Sequence, residues 1–147
     1  MLGERAIAPD MIGYDADGAA VRLSQAKKPA VVYFYPKDGT PGCTKEACAF
    51  RDAWEKYTRA GVSVFGVSAD SKESHDAFRK EHKLPFPLVP DESGAAAKAY
   101  GVSTTLGLDD RVTFLVDKDS YIARVWHNVD PALHATEVLD AASKLPR

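Results

Sequence analysis

The stretch from Pro29 to Cys48, PAVVYFYPKDGTPGCTKEAC, restricts the fold more than any other part of the chain. Pro29 to Tyr35 is a β-branched and aromatic run without polar alternation, the pattern of a strand covered on both faces. Pro36 lacks an N–H, so it ends the ladder and stiffens the turn. Gly39 and Gly42 permit tight backbone angles there, and Cys43 falls where the next helix should begin. A strand buried on both sides that feeds a helix requires a sheet with helices packed on its faces. The same stretch holds both cysteines of the chain, Cys43 and Cys48, five residues apart. A thiol at a helix N-terminus meets unpaired backbone N–H groups and the positive end of the helix dipole. Both favour thiolate, the nucleophilic form.

The remaining pattern supplies the rest of that sheet. DADG, from Asp15 to Gly18, is a turn signal between two short strand-like pieces. Ala47, Phe50, Trp54 and Tyr57 recur at three- and four-residue steps, predicting one helix with an apolar face that Gly61 stops. Val62 to Val67 reads as a second buried strand. A helix started by Asp70 or Ser71 comes next, with Ala77, Phe78 and Leu84 as core contacts and Pro85 beyond its end. Phe86 to Val89 is a short strand, and Ala95 to Tyr100 a helix closed by Gly101. Arg111 to Val116 and Tyr121 to Trp126 form a hairpin around DKDS. Pro131 fits the first turn of a last helix carrying Leu133, Val138 and Leu139. No repeat or long linker divides the 147 residues, so residues 1–147 read as one domain. The order of elements predicts an α/β protein: a thioredoxin-like fold, its mixed central sheet flanked by helices, with an N-terminal strand extension.

Composition excludes several function classes. A net charge of -2 gives no basic footprint, so nucleic acid is not an expected partner. No apolar run approaches a membrane span. Glu4 and Arg5 stand where a signal peptide would need its apolar core, so export is not expected. Two cysteines make no secreted disulfide framework, and a reducing cytoplasm is the expected home. His75, His82, His127 and His134 are scattered, without metal-ligand spacing to either cysteine. They read as structural or solvent-facing, and neither metal nor cofactor is expected. Phe50, Trp54 and Phe78 read as core, and Asp109 and Asp110 as a solvated loop. No exposed strand or apolar patch argues against a monomer.

The cysteine turn suits an oxygen-rich substrate. Thr40, three residues before Cys43, can fold its hydroxyl over the sulfur or cap the helix. Backbone N–H groups near Gly42 and Cys43 would point at anything bound to an exposed thiolate. In a hydroperoxide, thiolate attacks one oxygen while charge developing on the other needs such donors. The product, a sulfenic acid on Cys43, condenses readily with a second thiol. Yet residues five apart on a helix are turned about 140° from one another and lie roughly 8.7 Å apart at Cα. Disulfides do not span beyond roughly 7 Å. Cys43 shares the inward stripe of Ala47, Phe50 and Trp54, whereas Cys48 shares the outward face of Asp52 and Glu55. An intramolecular disulfide therefore demands that the first turn or two of the helix unwind, as a Gly-rich, poorly buried helix start allows.

Pro36, Thr40 and Cys43 form PxxxTxxC, which resembles the active-site motif of peroxiredoxins. With a second cysteine five residues on, the chain is similar to the Q type, the bacterioferritin comigratory protein family. GVSADSKESHDAF, LPFPLVPDE, AYGV and RVTFLVDKD stand in that family's order. The resemblance implies a thioredoxin fold and thiol-dependent reduction of hydrogen peroxide and organic hydroperoxides. It implies Cys43 as peroxidatic thiol, Cys48 as resolving thiol, and Arg111 as an active-site arginine, which by itself would read as a surface charge. It also implies thioredoxin or a similar dithiol as reductant. Gly39 departs from the family, which often has Asp there, and STTLGLDD before Arg111 is less regular than usual. Two other classes stand beside a peroxidase. A thioredoxin-type disulfide oxidoreductase wants Cys-x-x-Cys, which this chain lacks. A redox sensor or thiol-switched holdase would oxidise without turning over.

Overall fold

The computed structural model describes residues 1–127 and 129–146. Its frame is a seven-stranded mixed sheet in the order β2-β1-β5-β4-β3-β8-β9. The strands are β1 (Ile12–Tyr14), β2 (Ala20–Arg22), β3 (Ala30–Phe34), β4 (Ser63–Ser68), β5 (Leu88–Pro90), β8 (Val112–Val116) and β9 (Ile122–His127). β3 lies near the middle, parallel to β4 and antiparallel to β8. All five of its residues are buried, as the unbroken apolar run requires. The pleat sends Val31, Tyr33 and Tyr35 into one core cluster and Ala30, Val32 and Phe34 into the other. The thioredoxin-like architecture expected from the order of elements, with its N-terminal strand pair, is the one observed.

Five helices cover the sheet: α1 (Pro41–Asp52), α2 (Trp54–Ala60), α3 (Lys72–His82), α4 (Ala95–Tyr100) and α5 (His134–Ser143). The first cluster takes its helical residues from α1, α2, α3 and α5, the second from α4. The helix expected from the cysteine turn to Tyr57 is two helices, because Ala53, at φ -91 and ψ 1, leaves the helical region. Beyond the break, the Tyr57 hydroxyl donates to Ala135 O at the start of α5 (2.5 Å). Gly61 stops α2 at φ 70, where glycine carries no Cβ penalty. On α3, capped by Ser71, the buried face is His75, Phe78 and Arg79, while Ala77 is exposed rather than in the core. The longer side chains fill that face, and the Arg79 guanidinium is bonded at both terminal nitrogens, Nη1 to Asp76 and Nη2 to the Tyr14 carbonyl. Pro131 lies in a turn before α5, and Leu133, at its N-cap, is exposed.

Two small strands that the sequence did not suggest, β6 (Thr104–Thr105) and β7 (Leu108–Asp109), form a hairpin ahead of Arg111. Leu106 and Gly107, at φ 53 and 77, make its turn. The loop is not simply solvated: Asp109 is buried and bonded by the Thr104 hydroxyl (3.2 Å). Burial pushes its carboxyl up to about 6, with Asp91, Asp110 and Asp70 adding to the effect.

In β4, Gly66 sits against the Tyr33 ring. A Cβ there would come within 2.8 Å of Leu88 Cδ2 and 2.9 Å of Tyr33 Cζ. Gly66→Ala should therefore overpack the sheet and cost about 1–3 kcal/mol, read as a lower urea midpoint. An unchanged midpoint would show that the Tyr33 ring yields freely.

Candidate active site

β3 delivers the chain into the turn, and β8 brings Arg111 to it. Phe34 pairs with Val112, so Arg111, one residue before β8, lies level with the end of β3. Thr40 is the N-cap of α1, Pro41 its first residue, and Cys43 lies in its first turn, where the sequence placed it. The Arg111 guanidinium spans two groups of this helix. Nη2 donates to Cys43 Sγ at 3.3 Å, and Nη1 donates to Glu46 Oε1 at 2.6 Å. Gly42 makes the approach possible, since a Cβ there would stand 3.2 Å from Nη2.

Glu46 was not among the residues singled out from sequence, although its position carried a signal: three residues after Cys43, it shares that residue's face. It is fully buried, and its Oε2 has no hydrogen-bond partner. Burial pushes its carboxyl up to about 7, against the pull of Arg111. Burial also works against the Arg111 charge, but Glu46 and Cys43 outweigh it and hold the guanidinium above its ordinary value. A cation fixed beside the sulfur is what an attacking thiolate and a departing oxyanion both use.

The two thiols sit differently from their expected places. Cys43 is not exposed: it is 1% accessible and belongs to the core cluster with Tyr33, Ala47 and Phe50. The inward stripe of α1 carries it there. Cys48 is not on the open face of Asp52 and Glu55 but half-buried, its Sγ 4.0 Å from His82 Nδ1 on α3. Both thiols are free, on one helix unbroken from Pro41 to Asp52. The Thr40 hydroxyl neither caps α1 nor folds over the sulfur; it donates to Lys37 O at 2.9 Å. That leaves its oxygen's lone pairs for another donor. Pro36 is half-buried just past β3.

The turn is pinned from the other side by Asp38, to which the sequence pattern gave no role. Asp38 Oδ1 accepts from the Tyr35 hydroxyl (2.6 Å), and Oδ2 accepts from Ser74 Oγ (2.9 Å) and faces His75 Nδ1 (2.7 Å). The Asp38 N–H donates to Asp70 Oδ2 (2.9 Å). His75 is buried, its Nε2 on Val89 O (3.0 Å). Asp38, Asp70 and His75 bring ligand atoms within 4.8 Å of one another, the one such metal-capable group among the described residues. Their atoms are already engaged with Ser68, Ser74 and Tyr35. His134, also buried, bonds Thr113 Oγ1 (2.7 Å) and Glu137 (3.0 Å).

The model of the AhpC/TSA family matches residues 5–125. The chain belongs to that family. It is 48% identical over 135 residues to the chloroplastic peroxiredoxin Q of Sedum lineare, covering 89% of this chain and 73% of that protein. Among solved structures, peroxidoxin BcpB of Mycobacterium tuberculosis superposes with a TM-score of 0.89 at 30% identity over 100% of both chains. A structure of Xanthomonas campestris peroxiredoxin Q gives 0.80 at 36% identity over 90% of this chain and 89% of that one. The resemblance to peroxiredoxins carried by PxxxTxxC, and to their Q type with Cys48 five residues on, thus holds along the chain, and a peroxiredoxin is a peroxidase, an oxidoreductase working through thiol chemistry.

In this peroxiredoxin, Glu46→Gln keeps an acceptor for Arg111 but cannot ionise. The folded carboxyl holds its proton to about 7 where an unfolded one loses it near 4.5. The stability it contributes is therefore whole below the lower value and lost as pH rises through the higher, by roughly 3 kcal/mol. Urea titrations should show wild type falling in stability relative to Glu46→Gln between about pH 4.5 and about pH 8. Parallel pH profiles would contradict this protonation scheme.

Proposed function

We propose that this chain reduces hydrogen peroxide and organic hydroperoxides at Cys43, within antioxidant defence. The observation that carries the proposal is the Arg111 guanidinium 3.3 Å from Cys43 Sγ at the start of α1. The thiolate attacks the terminal peroxide oxygen, the O–O bond breaks, and the other oxygen departs with the electron pair. Arg111 and the backbone N–H groups of the first turn stabilise that departing charge, and a proton turns it into water or an alcohol. The Thr40 hydroxyl, its hydrogen committed to Lys37 O, presents lone pairs able to accept from the peroxide O–H. Pro36 stiffens the start of the turn that carries Cys43.

Cys43, now a sulfenic acid, condenses with Cys48 to an intramolecular disulfide and water. Because both thiols lie on one unbroken helix, the N-terminal part of α1 must unwind for this step. Thioredoxin or a similar dithiol protein then restores both thiols. The compartment proposed is the cytoplasm, whose reducing pool keeps thiols reduced between turnovers. The short edge strand β2, three residues long, fits a monomer.

Peroxide consumption, followed with a thioredoxin system as electron source, tests this reading. Cys43→Ser should abolish turnover, and Cys48→Ser should stop recycling after the first equivalent. Peroxide-treated wild type should lose two hydrogens by mass, as a monomer. Oxidation of Cys43 without sustained turnover would instead indicate a thiol switch, and a disulfide only between molecules would remove the intramolecular step.

A further inference from the structure

Cys48 is seated on the last turn of α3, and the residue it meets there is titratable. Its Sγ lies 4.0 Å from His82 Nδ1, within hydrogen-bonding range for sulfur. A thiol is a weak donor and a neutral imidazole nitrogen an acceptor, so the S–H can point at the ring. The ring is held on its other sides. Its second nitrogen, Nε2, is 3.8 Å from Glu81 Oε2, and the Phe78 ring stands edge-on at 5.1 Å. Arg51 fixes the backbone: Nη1 donates to His82 O at 2.8 Å, while Nε donates to Asp52 Oδ1 at 3.0 Å. Thiol and imidazole thus stand in the order of nucleophile and base, with the Glu81 carboxylate on the far side of the ring.

We propose that His82 is the proton acceptor for Cys48 in the resolving step, and that it and Arg51 hold the C-terminal half of α1 on α3 while the N-terminal half opens. The proposal rests on the reading of Cys48 as resolving thiol. His82 Nδ1 takes the S–H proton, and the Cys48 sulfur pair attacks the Cys43 sulfenic sulfur. A S–S bond forms and the S–O bond breaks. The oxygen leaves as hydroxide and takes a proton from the imidazolium, giving water and a neutral ring. Cys43, whose turn is Gly-rich, is the sulfur that travels, and Cys48 is the one that waits.

The test separates the two chemical steps by rapid quench and mass measurement after mixing with hydrogen peroxide. In His82→Gln, disulfide formation near pH 7 should slow about a hundredfold or more, the lower end of what a positioned base contributes. The slowing should shrink toward about pH 10, where hydroxide ionises the thiol unaided, and added imidazole should restore part of the rate. Sulfinic acid on Cys43 should accumulate as the sulfenic acid waits longer. As a second measurement, alkylation of Cys48 by iodoacetamide in Cys43→Ser protein should slow near pH 7 when His82→Gln is added, with the same recovery at about pH 10. Equal disulfide rates with and without the imidazole, while Cys48→Ser blocks resolution, would overturn the role of His82 and leave the function standing. Slowing that is uniform in pH and deaf to imidazole would reduce His82 to packing and overturn the proposal too. Full turnover in Cys48→Ser would remove the resolving thiol itself.

Discussion

One half-buried cation organises the cysteine end of this molecule. Arg111 reaches from the start of β8 to two groups on α1, a carboxyl and a sulfur three residues apart. Neither contact is available unless β8 lies beside β3 in the observed register, because Phe34 opposite Val112 sets where position 111 falls. The sheet therefore decides the distance between the Cys43 sulfur and the cation, and the turn residues decide how closely they meet. Glu46 completes the arrangement at a cost, since a carboxyl without full hydrogen bonding is kept out of water to orient the guanidinium. Removing Arg111 would strand the Glu46 carboxyl in the core, whereas Arg111 keeps some access to water.

The turn between β3 and α1 is held by two separate sets of bonds. On the α1 side it is held by Arg111 and by helix backbone bonds, which opening of the first turn would sacrifice. On the α3 side it is held by Asp38, whose carboxylate gathers Tyr35, Ser74 and His75. None of those bonds involves α1. The chain entering the turn can stay fixed while the chain leaving it moves, so what must reorganise is short, and the cation on β8 need not shift with it.

Much of this was legible in the residues. An apolar run, a Pro/Gly turn and a cysteine pointed to β3, the turn and the start of α1, because backbone preferences and hydrophobic periodicity act locally. Arg111 was legible only through the family motif, since nothing local distinguishes an arginine before a strand from a surface charge. What the pattern missed is mostly buried polar chemistry: Glu46, Asp38 with His75, Arg79 and Asp109. Periodicity assigns such residues to the solvent face, and only a partner brought by another element makes their burial tolerable. Ala77 shows the converse error, a small apolar residue left outside because larger side chains fill the same helix face. The exposure expected for Cys43 failed for a related reason: the stripe that orients the sulfur toward Arg111 also drops it into the core.

The interruption at Ala53 sets a boundary on disorder. Helix formation is cooperative along a continuous run of backbone bonds, so fraying that begins at Pro41 can travel to Asp52 but meets a seam there. Tyr57, moored to Ala135, keeps the far bank in place. With the C-terminal half of α1 kept on α3 as proposed, the stretch that opens is shorter than the twelve residues of the helix, and a few helical turns re-form within about a microsecond. A bond between the two sulfurs would thus cost the scaffold only this stretch, with the sheet and α2 left as they stand.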